Sequence, residues 1–183
     1  TLGGWGGRTA HDDLVNKPNH MTDRSPDIYD DGNTNKMYWR WIPAAQNDFQ
    51  ARMDWCVATT YAGANHQPVA AVVGSLTCDV APGQVINLNA TGSSDTDGDG
   101  QTYLWWQYYD ADSATTTVTI SNSTSINNAS FVVPNEIGKQ IHIILEATDN
   151  GTPALKGYRR IICNIVADSD ITPPTPNPMT WET

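Results

Sequence analysis

Three aspartates in one short loop form a candidate site for a metal ion. Asp95, Asp97 and Asp99 alternate with small residues in the segment DTDGDG. The segment matches the opening of an EF-hand calcium loop, but Trp106 stands where that loop needs a bidentate glutamate, so an EF-hand is excluded. Ca²⁺ binds here only if Asp149, or a carbonyl of the loop that follows it, completes the oxygen shell. The alternative is a solvated turn without metal, so no cofactor is required.

Aromatic side chains follow the aspartate loop on an expected strand. Tyr103 and Trp105 alternate onto one face of the segment YLWWQYY, and Trp106 and Tyr108 alternate onto the other. We expect the face with Trp105 to fill a core. The opposite face has two alternatives: its rings stack against the apolar C–H surfaces of a sugar, or an upstream helix covers them.

Further residues are candidates for ligand binding if that outer face is covered. Trp39 and Trp41 share a side of a locally extended segment. Arg8 lies in the run GGWGGR and can donate a forked pair of hydrogen bonds to vicinal hydroxyls or to a sulfate. Packing is the alternative role for each tryptophan. The full candidate set for ligand binding is Trp5, Arg8, Trp39, Trp41, Trp106, Tyr108 and Tyr109.

No catalytic arrangement is recognisable in the chain. We find no Ser-His-Asp order and no phosphate-binding loop, and Glu136, Glu146 and Glu182 lie far apart in sequence. The protein is therefore predicted to be a binding module and not an enzyme.

The charge of the chain restricts its partners. The formal net charge is −10, and Arg159–Arg160 is the only basic doublet. Nucleic acids and anionic membranes require clustered lysine and arginine, so neither partner is expected. No apolar run is long enough for a membrane span, so membrane insertion is not expected either. A neutral polysaccharide is allowed.

The apolar pattern predicts one helix near the N-terminus. Residues 1–66 are expected to be loop-rich with a helix over about 44–62, in which Pro43 suits the first turn. The apolar stripe of this helix is expected to face the protein, with Cys56 as a buried thiol. Its members are Ala45, Phe49, Met53, Cys56 and Val57.

Period-two patterns predict a β-sandwich over residues 67–167. About seven short strands separated by turn signals are typical of an immunoglobulin-like sandwich. The first expected strand is 69–73, which 76–80 can continue; the others are 85–90, 102–109, 116–120, 130–133 and two around residues 141–147 and 161–165. Residues 168–183 are proline-rich and are expected to form a tail or linker.

Two of the three cysteines are candidates for a disulfide. Cys78 and Cys163 fall on the first and last expected strands, which are neighbours in such sandwiches. A bond between them would close a loop of about 85 residues and stabilise the fold by about 4 kcal/mol.

Segment 67–166 resembles a PKD-type immunoglobulin-like domain. The resemblance rests on QPVAAV, APGQ, ATGSSDTDGDG, the Y-x-W of the aromatic strand, F-x-x-P-x-x-x-G and ATDNGTP. Together with GGWGGR, RWIPAAQNDFQARMDWCV, ANHQPV and YLWWQY, the chain is similar to the C-terminal region of the bacterial cellulose-binding protein family with a nucleoside-hydrolase-like domain. The similarity spans positions 3–8 and about 38–166. It implies a secreted or cell-surface protein associated with polysaccharide use, without the catalytic-looking half.

The expected fold is mainly β: an immunoglobulin/PKD-like β-sandwich with an N-terminal loop-and-helix segment packed on it. The expected function is a non-catalytic carbohydrate-binding module that anchors a secreted or surface protein on polysaccharide by aromatic stacking. The alternative is a structural or assembly module, either a surface or filament subunit or a spacer for a hydrolase domain. Its partners would be further copies of itself or an upstream hydrolase-like domain.

Overall fold

The computed structural model describes residues 9–13, 15–23 and 39–167 of the 183-residue chain. Trp5, Arg8 and the proline-rich segment 168–183 lie outside the described residues. Short 3₁₀ turns occur at Tyr61–Gly63 and Tyr109–Ala111. The longer elements are β1 (Thr9–Asp13), β2 (Lys17–Asp23), α1 (Ile42–Val57), β3 (Thr77–Val80), β4 (Val85–Leu88), β5 (Gln101–Gln107), β6 (Ala129–Val132), β7 (Gln140–Asp149) and β8 (Lys156–Ile165).

Two sheets enclose the core. The larger sheet has the strand order β3-β8-β7-β5, and the smaller sheet pairs β4 with β6. Strand β3 runs parallel to β8, while the other pairs in these two sheets are antiparallel. The mainly β fold is consistent with the predicted β-sandwich, which is thereby confirmed.

Alternation along the strands explains how the core is filled. Ile141, Ile143 and Leu145 of β7 point inward and are fully buried, as the period of two predicts. Trp105 of β5 is only 1% exposed, and its indole N–H donates to the carbonyl of Ser125 at 3.0 Å. The predicted core position of Trp105 is confirmed.

Two expected strands do not form. Residues 69–73 make a single bridge from Val69 to Ser94, and no strand covers residues 116–120. Side chains satisfy the backbone in both places: the Ser93 hydroxyl binds the N–H and carbonyl of Ala71, and Gln107 Oε1 accepts from the N–H of Val118. Such side-chain bonds compete with a strand ladder, which an apolar pattern does not reveal.

The N-terminal region contains a hairpin where the sequence predicts only loop. Strands β1 and β2 pair antiparallel, with Thr9 opposite Asp23 and a register shift between His11 and Asp13. The two segments read TAHDD and KPNHMTD, so neither shows an apolar alternation. Backbone pairing forms this hairpin without the pattern by which strands are recognised in a sequence.

Helix α1 begins two residues before the predicted start and ends at Val57, well before the predicted end near residue 62. Pro43 lies in its first turn, as expected. Among the described residues, no helix is long and apolar enough to cross a membrane.

The orientation of α1 is opposite to the prediction. Its buried residues are Ala44, Asp48 and Ala51, whereas Phe49 is 63% exposed and Cys56 is exposed. The expectations of an inward apolar stripe and a buried Cys56 are therefore wrong. The small side chains of Ala44 and Ala51 let the helix backbone approach the sandwich.

Polar contacts hold this buried face of α1. Asp48 accepts hydrogen bonds from Gln67 Nε2 at 2.7 Å and from Arg52 Nε at 2.8 Å, so its buried carboxylate is paired. Asn47 donates from Nδ2 to the carbonyl of Ala154 at 2.8 Å. The predicted packing of the helical segment on the sandwich is confirmed. The buried side chains of the helix are small or polar, however, and do not form an apolar stripe.

The two cysteines expected to pair lie directly opposite each other. Cys78 of β3 and Cys163 of β8 are register partners, and their free Sγ atoms are 3.6 Å apart. Burial, together with the neighbouring Cys78, raises the pKa of the Cys163 thiol. The predicted adjacency of the first and last strands of the sandwich, β3 and β8, is thus confirmed, and the disulfide stays a prediction.

Oxidation is expected to leave one titratable thiol. The chain has three cysteines, and the register places only Cys78 and Cys163 for pairing. Protein produced without reductant in an oxidising compartment and then denatured should show one free thiol by titration and a matching intact mass. Replacing Cys56 with serine should reduce the count to none. Three free thiols in the unsubstituted chain would contradict the pairing.

Truncation of a buried side chain of β6 is expected to lower the free energy of unfolding far more than truncation of an exposed side chain of the same strand. Phe131→Ala of β6 removes a fully buried ring and should cost about 3–5 kcal/mol of unfolding free energy. The neighbouring Val132→Ala removes an exposed side chain and should change stability by about 0.5 kcal/mol or less. Urea unfolding followed by circular dichroism measures both. Equal losses would contradict the assigned faces of β6.

Candidate ligand-binding groove

A groove lies between the chain that follows α1 and the aspartate loop. One cavity of about 480 Å³ is bordered by residues 61–65, by Thr96, Asp97 and Asp99, and by residues 151–152. A second cavity of about 330 Å³ is bordered by Trp55, residues 58–61, Ala64 and His66. Tyr61 and Ala64 border both cavities, so we treat them as one surface, the Tyr61 groove. Each volume falls in the range of small-molecule sites.

An aromatic stack forms one side of the Tyr61 groove. The rings of Tyr61 and His66 are parallel within 6°, with centroids 3.7 Å apart. Trp55 stacks on the same histidine at 5.3 Å and 13°. Tyr61 is nevertheless 61% exposed. Because His66 covers one face of the tyrosine ring, the exposed area belongs to its edge and its other face.

Hydrogen bonds fix the stack to the aspartate loop. The indole N–H of Trp55 donates to the carbonyl of Asn65 at 2.7 Å. The backbone N–H of His66 donates to Asp97 Oδ2 at 2.7 Å, and His66 Nδ1 lies 3.0 Å from Asp97 Oδ1. The loop carboxylate therefore sets both the position and the rotation of the imidazole on which Tyr61 rests.

The early end of α1 places Tyr61 at the groove. Ala58 is extended and caps the helix through its N–H to the carbonyl of Asp54. The β-branched Thr59 and Thr60 follow, which disfavour further helix. A 3₁₀ turn then begins at Tyr61. A helix that continued to residue 62 would carry this tyrosine on a different face.

The aspartate loop is a tight turn with its carboxylates together. Asp95 Oδ1 accepts from the N–H of Asp97 at 2.9 Å and of Asp99 at 3.1 Å. One oxygen from each of the three aspartates lies within 4.8 Å of the others. Gly98 has φ of +81°, a conformation that favours glycine. Burial, and then the charges of Asp95, Asp149 and Asp97, raise the pKa of Asp99.

Asp149, the fourth predicted metal ligand, lies at the end of β7. Its carboxylate is buried and accepts from Asn65 Nδ2 at 3.2 Å, from Gly151 N–H at 3.1 Å and from Leu155 N–H at 2.9 Å. It stands outside the cluster formed by Asp95, Asp97 and Asp99. Asp149 thus organises the loop that follows β7 and holds the side chain of Asn65.

Glycine is required where Asn65 approaches that loop. A Cβ at Gly151 would lie 2.3 Å from Asn65 Nδ2, which no side chain can accept. The Asn65 amide also donates to the carbonyl of Pro153 at 2.8 Å. Asn65 is 8% exposed, and its Oδ1 has no hydrogen-bond partner.

The residues that precede α1 pack on part of the outer face of the large sheet. Trp41 is 9% exposed, and its ring centroid lies 5.8 Å from that of Trp106, 6.0 Å from Tyr108 and 5.2 Å from Tyr158. The guanidinium of Arg40 lies 4.4 Å above Trp106. Of the two alternatives for this face, the structure shows partial coverage: Trp106 and Tyr108 are half-buried under Trp41 and Arg40, and not under the predicted apolar stripe of α1.

The other candidates for ligand binding are dispersed. Trp39 is 55% exposed. The hydroxyl of Tyr109 donates to the carbonyl of Thr115 and accepts from Thr117 Oγ1. These hydrogen bonds give the Tyr109 side chain a structural role. The structure brings Trp41, Trp106 and Tyr108 together, while Trp39 and Tyr109 do not border the Tyr61 groove.

Comparison with known proteins confirms the resemblance seen in the sequence. Residues 85–165 match the family described as cellulose-binding protein Sde0182, C-terminal domain. A solved structure is also similar: a nucleoside hydrolase-related hypothetical protein from Saccharophagus degradans that is associated with carbohydrate metabolism, with 45% identity and a TM-score of 0.66. The match covers 69% of this chain and 32% of that chain, so it spans about a third of the relative. No curated protein matches the chain.

The part that matches the Sde0182 C-terminal domain contributes one side of the Tyr61 groove. It contains the aspartate loop and residues 151–152, whereas Trp55, Tyr61, Asn65 and His66 precede it. The groove therefore forms where the helical segment meets this domain.

Sequence reasoning missed the main residues of the groove. Tyr61 was assigned to the end of a helix, and His66 carried no recognisable pattern. The pair Thr59–Thr60 was the one local signal, since β-branched residues mark a plausible helix end. The contact between His66 and Asp97 joins residues 31 positions apart and depends on the tertiary fold.

Proposed function

We propose that the protein binds carbohydrate in the Tyr61 groove without catalysing a reaction on it. The observation that carries the proposal is the exposed Tyr61 ring, held parallel to His66 at 3.7 Å. The similarity to a cellulose-binding C-terminal domain, and to a protein associated with carbohydrate metabolism, supports the same ligand class.

An exposed ring of fixed orientation suits a sugar. The C–H groups of a pyranose form an apolar face that packs against an aromatic face and buries area from water. Since His66 already holds Tyr61 on one side, little side-chain entropy remains to be lost on binding. The stack of Trp55, His66 and Tyr61 therefore acts as a preorganised platform.

The polar border of the groove suits hydroxyl groups. It offers hydroxyl groups, which can donate to and accept from sugar hydroxyls, and carboxylate groups, which can accept from them. These residues are Thr59, Thr60, Thr96, Asp97, Asp99 and Thr152. The acidic border and the net charge of −10 favour a neutral polysaccharide over a sulfated one.

We also propose a secreted or cell-surface location, because the neutral polysaccharides proposed as ligands lie outside the cell. The proposed role is attachment, in which a few weak contacts per site are sufficient when several sites act together.

Removal of the Tyr61 ring is expected to weaken retention. Tyr61→Ala should weaken binding to a retained polysaccharide by about tenfold, the equivalent of about 1.4 kcal/mol of stacking and burial. Tyr61→Phe keeps the ring and should bind normally. Affinity electrophoresis through gels with different neutral polysaccharides, and pull-down on insoluble cellulose, measure retention.

Trp39→Ala is the matched control for loss of an exposed ring elsewhere. It should retain binding, and the melting temperatures of all three variants should stay close to that of the unsubstituted protein. Loss of retention in Trp39→Ala alone would move the site away from the groove. Normal retention of Tyr61→Ala on every polysaccharide that the unsubstituted protein binds would refute the groove.

One observation favours an assembly role as the second candidate. The outward face of α1 carries exposed apolar residues at helical spacing, which is more than a solvated helix needs. This helix stripe consists of Ile42, Phe49, Met53 and Val57. A second copy, or a neighbouring hydrolase-related domain, would cover such a face.

Self-association is expected to depend on the helix stripe if the assembly role holds. Phe49→Glu places a charge at the centre of the stripe and should shift any concentration-dependent oligomer to monomer by at least about tenfold in dissociation constant. Gln50→Glu adds the same charge on the same helix and should leave association unchanged. Sedimentation velocity measures both, and a monomeric unsubstituted protein at all concentrations would contradict self-assembly.

A further inference from the structure

We propose that the aspartate loop binds one Ca²⁺ beside the Tyr61 groove, with Asp95, Asp97 and Asp99 as carboxylate ligands and Asn65 Oδ1 as a neutral ligand. Calcium takes six to eight oxygen ligands in flexible geometry, so loop carbonyls and water would complete the shell. Asp149 is a positioning residue in this site, because its carboxylate holds the Asn65 amide.

Charge is the first argument. One oxygen from each of Asp95, Asp97 and Asp99 lies within 4.8 Å of the other two, and the buried Asp149 adds a fourth charge nearby. Within the described ranges, none of the four forms an ion pair with lysine or arginine; Asp97 has only His66. Like charges at this range disfavour each other, and a divalent cation relieves the repulsion.

Unpartnered oxygens are the second, independent argument. Asn65 is more than nine-tenths buried, and its Oδ1 has neither solvent contact nor a hydrogen-bond partner. The atom Asp95 Oδ2 likewise has neither solvent contact nor a hydrogen-bond partner, although the other oxygen of Asp95 accepts from two backbone N–H groups. A buried polar oxygen without a donor costs free energy, and a cation at bonding distance supplies what the protein does not.

The orientation of the Asn65 amide is determined by its surroundings. Nδ2 donates to both Asp149 oxygens at 3.2 Å and to the carbonyl of Pro153 at 2.8 Å. The reverse orientation would place Oδ1 against a carboxylate and a carbonyl. Oδ1 is therefore the atom left for a ligand, and Asn65 borders the same cavity as Asp97 and Asp99.

The site can be tested without any carbohydrate. Melting of the whole chain is followed in EGTA and at increasing Ca²⁺, with Mg²⁺ in parallel. We expect the melting temperature to rise with Ca²⁺ at a dissociation constant of about 10⁻⁴ to 10⁻³ M, typical of extracellular calcium sites, and to rise far less with Mg²⁺. Isothermal titration with CaCl₂ gives the stoichiometry, expected to be one.

The Asp99→Asn variant tests whether Asp99 binds the metal or stabilises the metal-free fold. Asp99 accepts none of the described hydrogen bonds, and its neighbours repel its charge, so the variant in EGTA should be at least as stable as the unsubstituted protein. Its affinity for Ca²⁺ should fall at least about tenfold. Asp79→Asn is the control, since Asp79 is exposed and its contact with Asn164 survives the change.

A melting temperature that does not depend on Ca²⁺ would overturn the calcium site, as would an Asp99→Asn variant that keeps the full response. Loss of the response in Asp79→Asn as well would show a diffuse charge effect and would also overturn it. The outcome is distinguishable from that of carbohydrate binding. A protein that binds Ca²⁺ but no polysaccharide would refute only the proposed function, and the converse would refute only this site.

Discussion

The buried hydrogen bond between Asn65 and Asp149 is the contact on which the arrangement depends. It joins two residues 84 positions apart, one on the segment after α1 and one at the end of β7. Both side chains are more than nine-tenths buried, and further hydrogen bonds to Gly151, Pro153 and Leu155 extend the contact into a buried network, so loss of either side chain would disrupt that network. This bond holds the segment that carries Tyr61 and His66 against the loop that carries the aspartates. The groove exists because the two segments are held together.

The two faces of α1 carry different kinds of residue in this arrangement. Small and polar residues face the sandwich, because Ala44 and Ala51 allow close approach and Asp48 finds partners in Gln67 and Arg52. The larger apolar residues are left outside. The ring surface that covers the large sheet comes instead from Trp41, just before the helix. Amphipathicity alone therefore points to the wrong face when buried polar residues are fully paired.

The fold could be predicted from the sequence, and most of the groove could not. Alternation along β7, and the tryptophan at position 105, identify the sandwich because burial on a strand has a period of two. The aspartate loop was recognisable because its residues are adjacent in sequence. Tyr61 and His66 were not, because their stacking depends on the early helix end and on the distant Asp97. The hairpin of β1 and β2 was missed because neither segment shows an apolar alternation in its sequence.

Three features follow from the sequence alone: the strands with apolar alternation, the resemblance to a cellulose-binding C-terminal domain, and the clustering of Asp95, Asp97 and Asp99. These are properties of neighbouring residues, for which local geometry is sufficient. The buried face of the helix, the rings that stay open, and the placement of Asn65, with its unpartnered oxygen, at the same cavity as Asp97 and Asp99 depend on the tertiary fold. Those outcomes depend on competition between contacts far apart in the chain, and no local pattern records which contact wins.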